Sequence, residues 1–187
     1  SYAQAAAMAM GRAMDDVIIA AATGTAYTGE TGATSESVQT AIAASVGTGT
    51  GLNLVKLTTA KRLLDDADVD PSIPRHIIVG PEQLQNLLAV EQVTSSDYNT
   101  VKALVQGEID SYLGFKFTVS NRLAKSGNDR TCIVYAEDGI TLGIGKDISA
   151  RIDERADKSY ATQVYYCQSI GATRMESAKV VPITCTE

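Results

Sequence analysis

The chain has 187 residues, of which 16 are lysine or arginine and 22 are aspartate or glutamate, so its formal net charge is −6. Hydrophobic residues make up 44% and charged residues 20%, a composition that excludes disordered, collagen-like and fibrous proteins. Its apolar runs fall far short of the roughly 18 residues of a membrane helix, and its acidic balance argues against a dedicated nucleic-acid binder.

Residues 3–22 predict the clearest helix, because Ala and Met favour helices and β-branched residues begin only at Val17. Arg12 and Asp16 lie four residues apart on this helix and are predicted to form an ion pair. The helix carries few polar residues and many small ones, so we expect it to be largely covered by a sheet or by a neighbouring chain. Because the chain opens at Ser1 inside this helix, we expect it to be the tail end of a longer protein.

Residues 23–51 are rich in Gly, Thr, Ser and Ala and predict a long loop. One short extended or helical piece is expected within it, near residues 38–44. A structureless connection of this length is uncommon inside a compact domain, so we expect the loop to wrap a neighbouring surface.

The middle of the chain predicts mixed helix and strand. A helix over residues 52–68 should end before the two prolines that follow it, and residues 75–79 predict a short buried strand. Pro81 is predicted to open the next helix at its first position. Residues 98–107 predict another short helix.

Everything after Gly114 predicts strands, with a turn at residues 137–139. The predicted strands cover residues 115–119, 131–136, 140–144, 148–153, 160–170 and 179–184. The order of the elements along the chain predicts an α+β fold in two lobes, one of which is discontinuous in sequence.

Cys132, Cys167 and Cys185 are odd in number and widely spaced, with no C-x-x-C pair. This spacing is typical of reduced thiols on half-buried strands in a cytoplasmic environment and does not indicate a disulfide or metal framework. His76, the only histidine, lies in an apolar strand and is predicted to be structural.

Two motifs have the outline of ligand-binding loops but lack required residues. Residues 66–70 (Asp-x-Asp-x-Asp) have calcium-loop spacing, but Pro71 stands where the loop needs Gly and Ile77 where it needs Glu. Residues 143–146 (Gly-x-Gly-Lys) lack the earlier Gly and the following Ser or Thr of a phosphate loop, and a strand bulge explains them better. We therefore predict no catalytic, cofactor-binding or metal-binding residue.

A dense cluster of mixed charges lies beside the start of the last long strand, over residues 153–158. In a monomer such a cluster is a solvated turn, whereas in an assembly mixed charges suit contacts that set register and specificity. Both explanations stay open on the sequence alone. The residues predicted as subunit contacts are Arg12, Asp16, Arg151, Asp153, Glu154 and Arg155.

Three stretches of the chain resemble tailed-phage (or prophage) major capsid proteins of the Hong Kong phage fold, of the short-tailed-phage type. They are RHIIVGPEQLQNLL at residues 75–88, SSDYNTVKALVQGEIDSYLGFKFTVSNRL at residues 95–123, and DGITLGIGKDISARIDERADKSYATQVYYCQSIGATRMESAKVV at residues 138–181. The resemblance covers nearly the whole chain. The closing Gly-Ala-Thr-Arg segment, residues 171–174, and the order of strand, Gly-Pro helix, short helix, Gly-Phe strand and Asp-Gly turn carry most of it.

The resemblance implies a particular α+β architecture. A discontinuous, β-rich peripheral lobe would comprise residues 1–52 and 146–187, with a spine helix at residues 2–22 and long strands. Residues 53–145 would form a mixed α/β axial lobe that gathers around five-fold and six-fold axes. Family members usually carry an N-terminal arm and an extended loop ahead of the spine helix, and we expect both to be missing before Ser1.

The resemblance also implies a structural protein, not an enzyme, that needs no cofactor and self-associates as pentamers and hexamers into an icosahedral shell around double-stranded DNA. Scaffold and portal proteins would be further partners, packaged DNA would be bound only weakly, and no membrane contact is expected. The protein would reside in the virion capsid, and in the host cytoplasm before assembly. Two alternatives stay open: a soluble α/β enzyme or ligand-binding domain that uses a cleft in the middle lobe, and an adaptor or other virion protein of the same fold.

Overall fold

Three α-helices, three single-turn 3₁₀ helices and ten strands lie in the described part of the chain, residues 2–89 and 111–187 of a computed structural model. In chain order the elements are α1 (Tyr2–Thr23), β1 (Ala26–Thr28), β2 (Thr34–Glu36), α2 (Leu54–Asp66), β3 (Arg75–Val79), α3 (Pro81–Leu88), β4 (Ser111–Tyr112), β5 (Phe115–Val119), β6 (Lys125–Ser126), β7 (Asp129–Ala136), β8 (Ile140–Arg155), β9 (Ala161–Arg174) and β10 (Val180–Thr186). The helix predicted over residues 98–107 lies outside the described residues. None of the described helices has the length and hydropathy needed to cross a bilayer.

A six-stranded sheet holds the core. Its order is β10-β7-β3-β5-β4, with β6 paired to β7; β3 and β5 run parallel and the other pairs are antiparallel. Four of the five residues of β3 are buried, as expected for a central strand covered on both faces. Ile77 of β3, Ile133 of β7 and Ile183 of β10 are fully buried. The strands predicted over residues 75–79, 115–119, 131–136 and 179–184 are all present.

Two helices flank this sheet. Helix α2 covers Leu54–Asp66 and so begins two residues later than predicted, because Asn53 caps it. Leu57, Ala60 and Leu64 form the buried stripe of α2 at helical spacing, and α2 contacts β10. The side chain of Asn53 caps α2 by accepting a hydrogen bond of 2.9 Å from the backbone N–H three residues on. Helix α3 begins with Pro81 at its first position, which confirms that prediction.

A buried lysine ties α2 to the last strand. The side chain of Lys56 is fully buried, and its Nζ donates to the carbonyl oxygens of Thr50 at 2.9 Å, Gly51 at 2.7 Å and Thr184 at 3.2 Å. A buried cation is tolerated only when such acceptors replace its hydration shell. Lys56 therefore joins three parts of the chain: the loop before α2, α2 itself and β10.

The segment over residues 23–51 is more structured than predicted. Ile42 forms a bridge to Ile183 beside β10, which confirms an extended piece near residues 38–44. The β1–β2 hairpin was not predicted, because its strands have three residues each and carry little alternation. Its turn uses Gly29 and Gly32 at positive φ, a conformation that glycine adopts without steric cost.

Strands β8 and β9 form a separate two-stranded ribbon. The sequence predicted two strands over residues 140–144 and 148–153, whereas the structure has one strand of 16 residues with register shifts between Ile144 and Lys146 and between Lys146 and Ser149. These shifts confirm the predicted bulge at residues 143–146. They also explain the apparent break, since a bulge interrupts the alternation of side chains without ending the strand.

Strand pairing corrects one part of the predicted lobes. The prediction placed residues 146–187 with the peripheral strands, but β10 pairs with β7 inside the six-stranded sheet. In addition, β8 runs without a break across the predicted boundary at residues 145–146. β10 lies in the sheet and not in the ribbon because the chain crosses from one to the other between β9 and β10, at the turn Ser177–Lys179. The division into a peripheral and an axial lobe itself stays a prediction.

Helix α1 packs against the ribbon, mainly against β9. Ile19 and Ala22 are its buried residues, and the hydroxyl of Tyr166 donates to the carbonyl oxygen of Ala3 at 3.1 Å. Most of the other α1 side chains are exposed, including Tyr2 and Met8. The expectation of a largely covered helix is therefore wrong for the single chain, because the ribbon is two strands wide and covers one side only.

The side chain of Glu187 lies in a cluster of donors beside the sheet. Arg130 and Lys125 form ion pairs with its carboxylate, and Gln83 donates to it at 3.3 Å. Arg130 and then Lys125 are the main causes that lower the pKa of Glu187 to about 2. The carboxylate thus joins α3, β6 and β7 through side-chain contacts.

We expect Lys56→Met to lower the free energy of unfolding by about 3 kcal/mol, because the carbonyl groups of Thr50, Gly51 and Thr184 lose the charged donor that joins them. Urea unfolding followed by circular dichroism measures this loss. Lys61→Met, at an exposed position of the same helix, should change the free energy by no more than about 0.5 kcal/mol. Equal losses for the two variants would contradict the role given to Lys56.

Glu187→Gln should change how stability depends on pH. Since the folded pKa of about 2 lies below the ordinary 4.5, the ion pairs contribute fully above pH 4.5 and their contribution is lost as the pH falls toward 2. We expect the difference in urea midpoint between the wild type and Glu187→Gln to be constant from neutral pH down to pH 5 and to vanish near pH 2. Glu82→Gln, at an exposed position, serves as the control and should follow the wild type throughout.

Candidate assembly surface

Arg174, the last residue of β9, fastens the ribbon to the end of α1. Its Nη1 donates to the carbonyl oxygens of Ala22 at 3.2 Å and Gly24 at 2.7 Å, and its Nη2 donates to that of Glu36 at 2.9 Å. The side chain is 4% exposed, and burial lowers the pKa of the guanidinium. A cation at the carboxyl end of a helix also meets the negative end of the helix dipole. This contact fixes where the ribbon leaves α1.

The ribbon has one apolar and one polar face. In the distal part, Ile152 pairs with Val164 and Ala150 with Tyr166 on the face that meets α1, and Ile144 pairs with Ile170 nearer the base. The opposite face pairs Arg151 with Tyr165, Asp153 with Gln163 and Ser149 with Cys167. Because side chains alternate along a strand, this division follows directly from the register.

The apolar face extends beyond the part that α1 covers. Ile152 is 64% exposed, Ile144 53% and Val164 39%, and on α1 itself Tyr2 is 89% exposed and Met8 56%. Single exposed apolar residues are ordinary, but several on one continuous element mark an interaction surface. We call the three ribbon residues, Ile144, Ile152 and Val164, the apolar stripe.

The tip and the polar face of the ribbon carry the predicted cluster of mixed charges. Arg155 pairs with Asp157 across the turn, with Nε donating to Oδ1 at 2.8 Å. Arg151 and Asp153 line a shallow polar cavity of about 390 Å³ together with neighbours on the same face, Lys146, Ser149, Gln163 and Tyr165. Ser149 lies 3.0 Å from the thiol of Cys167, and all three cysteines of the chain are free.

The predicted ion pair between Arg12 and Asp16 is wrong. Asp16 pairs instead with Arg122, which follows β5 and donates from both Nε and Nη2 to the two carboxylate oxygens. This fork of two hydrogen bonds lowers the pKa of Asp16. An exposed ion pair between residues four apart on a helix stabilises a protein by only a few tenths of a kcal/mol. Asp16 therefore pairs with Arg122, which offers two hydrogen bonds, and not with Arg12. Arg12 makes no ion pair within residues 2–89 and 111–187.

The six predicted contact residues therefore occupy two separate places. Arg12 and Asp16 lie on α1, and Arg151 to Arg155 lie on the distal half of β8. The Tyr166 contact at Ala3 puts the distal ribbon beside the start of α1, and Arg12 lies about 14 Å further along the helix axis at 1.5 Å per residue. The apolar stripe was not predicted from the sequence. Alternation along residues 148–153 was visible, but it cannot show which face stays uncovered.

This architecture of a long helix laid on a two-stranded ribbon, joined to a six-stranded α/β sheet, is that of phage capsid proteins of the Hong Kong phage fold. A chain of Mycobacterium phage Che8 matches with a TM-score of 0.69 at 20% identity, over 97% of this chain and 61% of that one. The capsid of cyanophage Pam1 gives 0.68 at 14% identity, over 98% and 67%. The capsid of an empty GTA particle gives 0.61 at 13% identity, over 100% and 65%.

The sequence family agrees with the fold. The family model for phage capsid proteins matches residues 1–187, and the chain belongs to that family. It is accordingly a structural protein and not an enzyme, as the sequence predicted. No curated protein matches the chain. The chain spans 61% of the length of the Che8 phage chain and 64% of the capsid chain of cyanophage P-SCSP1u.

We expect Arg174→Met to lower the free energy of unfolding by at least about 3 kcal/mol, because it removes a buried hydrogen-bond network and leaves carbonyl groups at the end of α1 without a donor. Amide exchange should speed up first in α1 and the ribbon. Arg151→Met, at an exposed position of the same ribbon, is the matched control and should lie within about 0.5 kcal/mol of the wild type. A control loss as large as that of Arg174→Met would refute the anchoring role.

Proposed function

We propose that this chain forms the shell of a tailed-phage or prophage head by self-association, and that the apolar stripe and the charged ribbon tip are contacts between copies. The observation that carries the proposal is the apolar stripe, exposed on a ribbon of only two strands. Isolated two-stranded ribbons are at best marginally stable in water, and α1 covers one side only. Burial of the stripe by neighbouring copies would supply the missing stabilisation.

The ribbon tip would set register in these contacts. Asp153, Glu154 and Arg155 are exposed and mixed in sign, so they suit pairing with charges of a neighbour that fixes orientation more than it adds affinity. Arg12, exposed and without an ion pair in the described chain, is a further candidate on α1. Asp16, tied to Arg122, would act by holding α1 in place.

The stability of a shell comes from many identical contacts between its subunits. Each copy would bury modest area in each contact, and many contacts per copy would act together. In this proposal the six-stranded sheet and the helices beside it, that is residues 53–139 together with β10, gather around the five-fold and six-fold axes as pentamers and hexamers. The shell is icosahedral and encloses double-stranded DNA, and the net charge of −6 keeps the packaged DNA weakly bound. Scaffold and portal proteins would be partners, and the host cytoplasm would be the site of assembly.

The test compares two neighbouring positions on opposite faces of the ribbon. Val164→Glu places a charge on the apolar stripe, and Gln163→Glu places the same charge on the polar face. We expect Val164→Glu to raise the dissociation constant for self-association at least tenfold and to remove rings or shells from electron micrographs, because a buried unpaired carboxylate is costly. Gln163→Glu should change the constant by less than twofold.

Light scattering behind size exclusion measures both variants, and circular dichroism checks that they remain folded. Self-association that is unchanged in Val164→Glu would show that the apolar stripe is not a contact between copies. A wild-type chain that stays a small, single species at every salt and protein concentration would contradict self-association itself.

A further inference from the structure

The polar face of the ribbon holds a half-buried thiol in contact with three other side chains. Ser149 and Cys167 are partners in the β8–β9 register, and the hydroxyl of Ser149 lies 3.0 Å from the thiol of Cys167. The ammonium of Lys146 and the hydroxyl of Tyr165 also donate hydrogen bonds to this sulfur. A cysteine that only fills space in a core has apolar neighbours, whereas this cluster surrounds the sulfur with donors that stabilise its charged form.

The other two cysteines of the chain have different surroundings. Cys132 and Cys185 are fully buried in the six-stranded sheet, which withholds them from reagents in solution, whereas Cys167 keeps part of its surface exposed. The hydrogen bond from Lys146, followed by that from Ser149, lowers the pKa of Cys167 below its ordinary value. The thiolate is the nucleophilic form of cysteine, and an adjacent ammonium in a partly exposed place favours it. Cys167 is therefore the thiol of this chain that reagents can reach.

A shallow cavity of about 390 Å³ opens beside this thiol. Its lining includes Lys146, Ser149 and Tyr165, the three residues that contact the sulfur. Sites for small molecules in proteins begin at roughly 300 Å³. The sulfur therefore borders a space large enough to hold a small molecule next to it.

The charges of the lining indicate that this molecule is anionic. Lys146 and Arg151 are the cations of the cavity, and Asp153 is its one carboxylate. Arg151 lies close enough to Lys146 for the two cations to repel each other, and it has no ion pair within residues 2–89 and 111–187. When the thiolate is consumed in a reaction, Lys146 loses its anionic partner as well. Both cations are then available to carboxylates of the group that is joined to the sulfur.

We propose that Cys167 is a site of thiol–disulfide exchange with a small disulfide that carries carboxylates, held in the cavity by Arg151 and Lys146. The thiolate attacks one sulfur of the disulfide, a bond forms between these two sulfurs, and the old disulfide bond breaks. The second half leaves as a thiolate and takes a proton from water. One disulfide replaces another, so the step needs no oxidant. The proposal does not depend on self-association of the chain.

The test measures how fast each cysteine of the folded chain reacts with two disulfides of opposite charge. Oxidised glutathione carries more carboxylates than amines, whereas cystamine carries amines only. Mass spectrometry of peptides follows the rates, and each rate is divided by that of the same reagent with β-mercaptoethanol, a neutral thiol. We expect oxidised glutathione to modify Cys167 at least tenfold faster than Cys132 and Cys185. At Cys167, the normalised rate should be at least tenfold higher for oxidised glutathione than for cystamine.

Variants separate the roles of the two cations. Arg151→Met should lower the preference for oxidised glutathione over cystamine at least fivefold, because it removes the unpaired cation. Lys146→Met should shift the rise of the exchange rate to higher pH, since the thiolate loses its ammonium partner, and Lys146→Arg should restore the wild-type profile. Lys158→Met, at an exposed position of the ribbon tip outside the lining, removes the same charge and should leave rate and preference within twofold of the wild type.

Three results would overturn the proposal. Modification of Cys167 no faster than that of the two buried cysteines would show that its thiol is not the reactive one. Equal normalised rates for the two disulfides would show that the cavity does not select carboxylates. A pH profile that is unchanged in Lys146→Met would show that the ammonium does not support the thiolate.

Discussion

The fold depends on one buried guanidinium. Arg174 lies where β9 ends, and within five residues the chain passes from the ribbon to β10 of the six-stranded sheet. Its hydrogen bonds reach the end of α1, the β1–β2 hairpin and Ser177 in the connecting turn. The end of α1 and the hairpin, 138 to 152 positions away in sequence, are therefore held against the end of β9 and the turn that follows it. A neutral side chain could fill the space, but it could not satisfy carbonyl groups on several sides at once.

Beyond that point, the molecule consists of two parts with different sources of stability. The six-stranded sheet has its own buried core, closed by Lys56 on one side and by the cluster around Glu187 on another. The ribbon and α1 have little core of their own, and their apolar residues are largely exposed. An element of this kind is poorly explained as part of an isolated monomer. The chain belongs to the phage capsid protein family, and the contacts between copies proposed above would cover these exposed residues.

The sequence predicted the elements that depend on local pattern. Helix α1, the buried strand β3, the start of α3 at Pro81 and the bulge near Gly145 all follow from propensity, alternation or backbone chemistry within a few residues. Contacts between segments that are distant in the chain could not be predicted from such local patterns. Asp16 had a plausible partner four residues away, but its actual partner, Arg122, is 106 positions along the chain.

The candidate surface shows the same limit. The mixed charges at residues 153–158 are visible in the sequence, and so is the alternation before them. Whether an alternating strand presents its apolar side to a core or to solvent depends on what else packs there. For the same reason Cys167 could be placed on a strand from its sequence, but the contacts of its thiol with Lys146 and Ser149 become apparent only once β8 is seen to pair with β9.

If copies of the chain assemble as the pentamers and hexamers proposed above, the two register shifts in β8, between Ile144 and Ser149, have a geometric consequence. One sequence must then serve two local curvatures, so some part of the subunit has to bend. At a bulge the ladder of hydrogen bonds is already interrupted, and a change of angle there strains fewer bonds than a change elsewhere along the ribbon. In such a shell the ribbon would bend most easily at residues 144–149, because its distal pairing, from Ser149–Cys167 to Arg155–Ala161, is uninterrupted. A few residues near the middle of one strand would then allow the same chain to occupy both pentamers and hexamers.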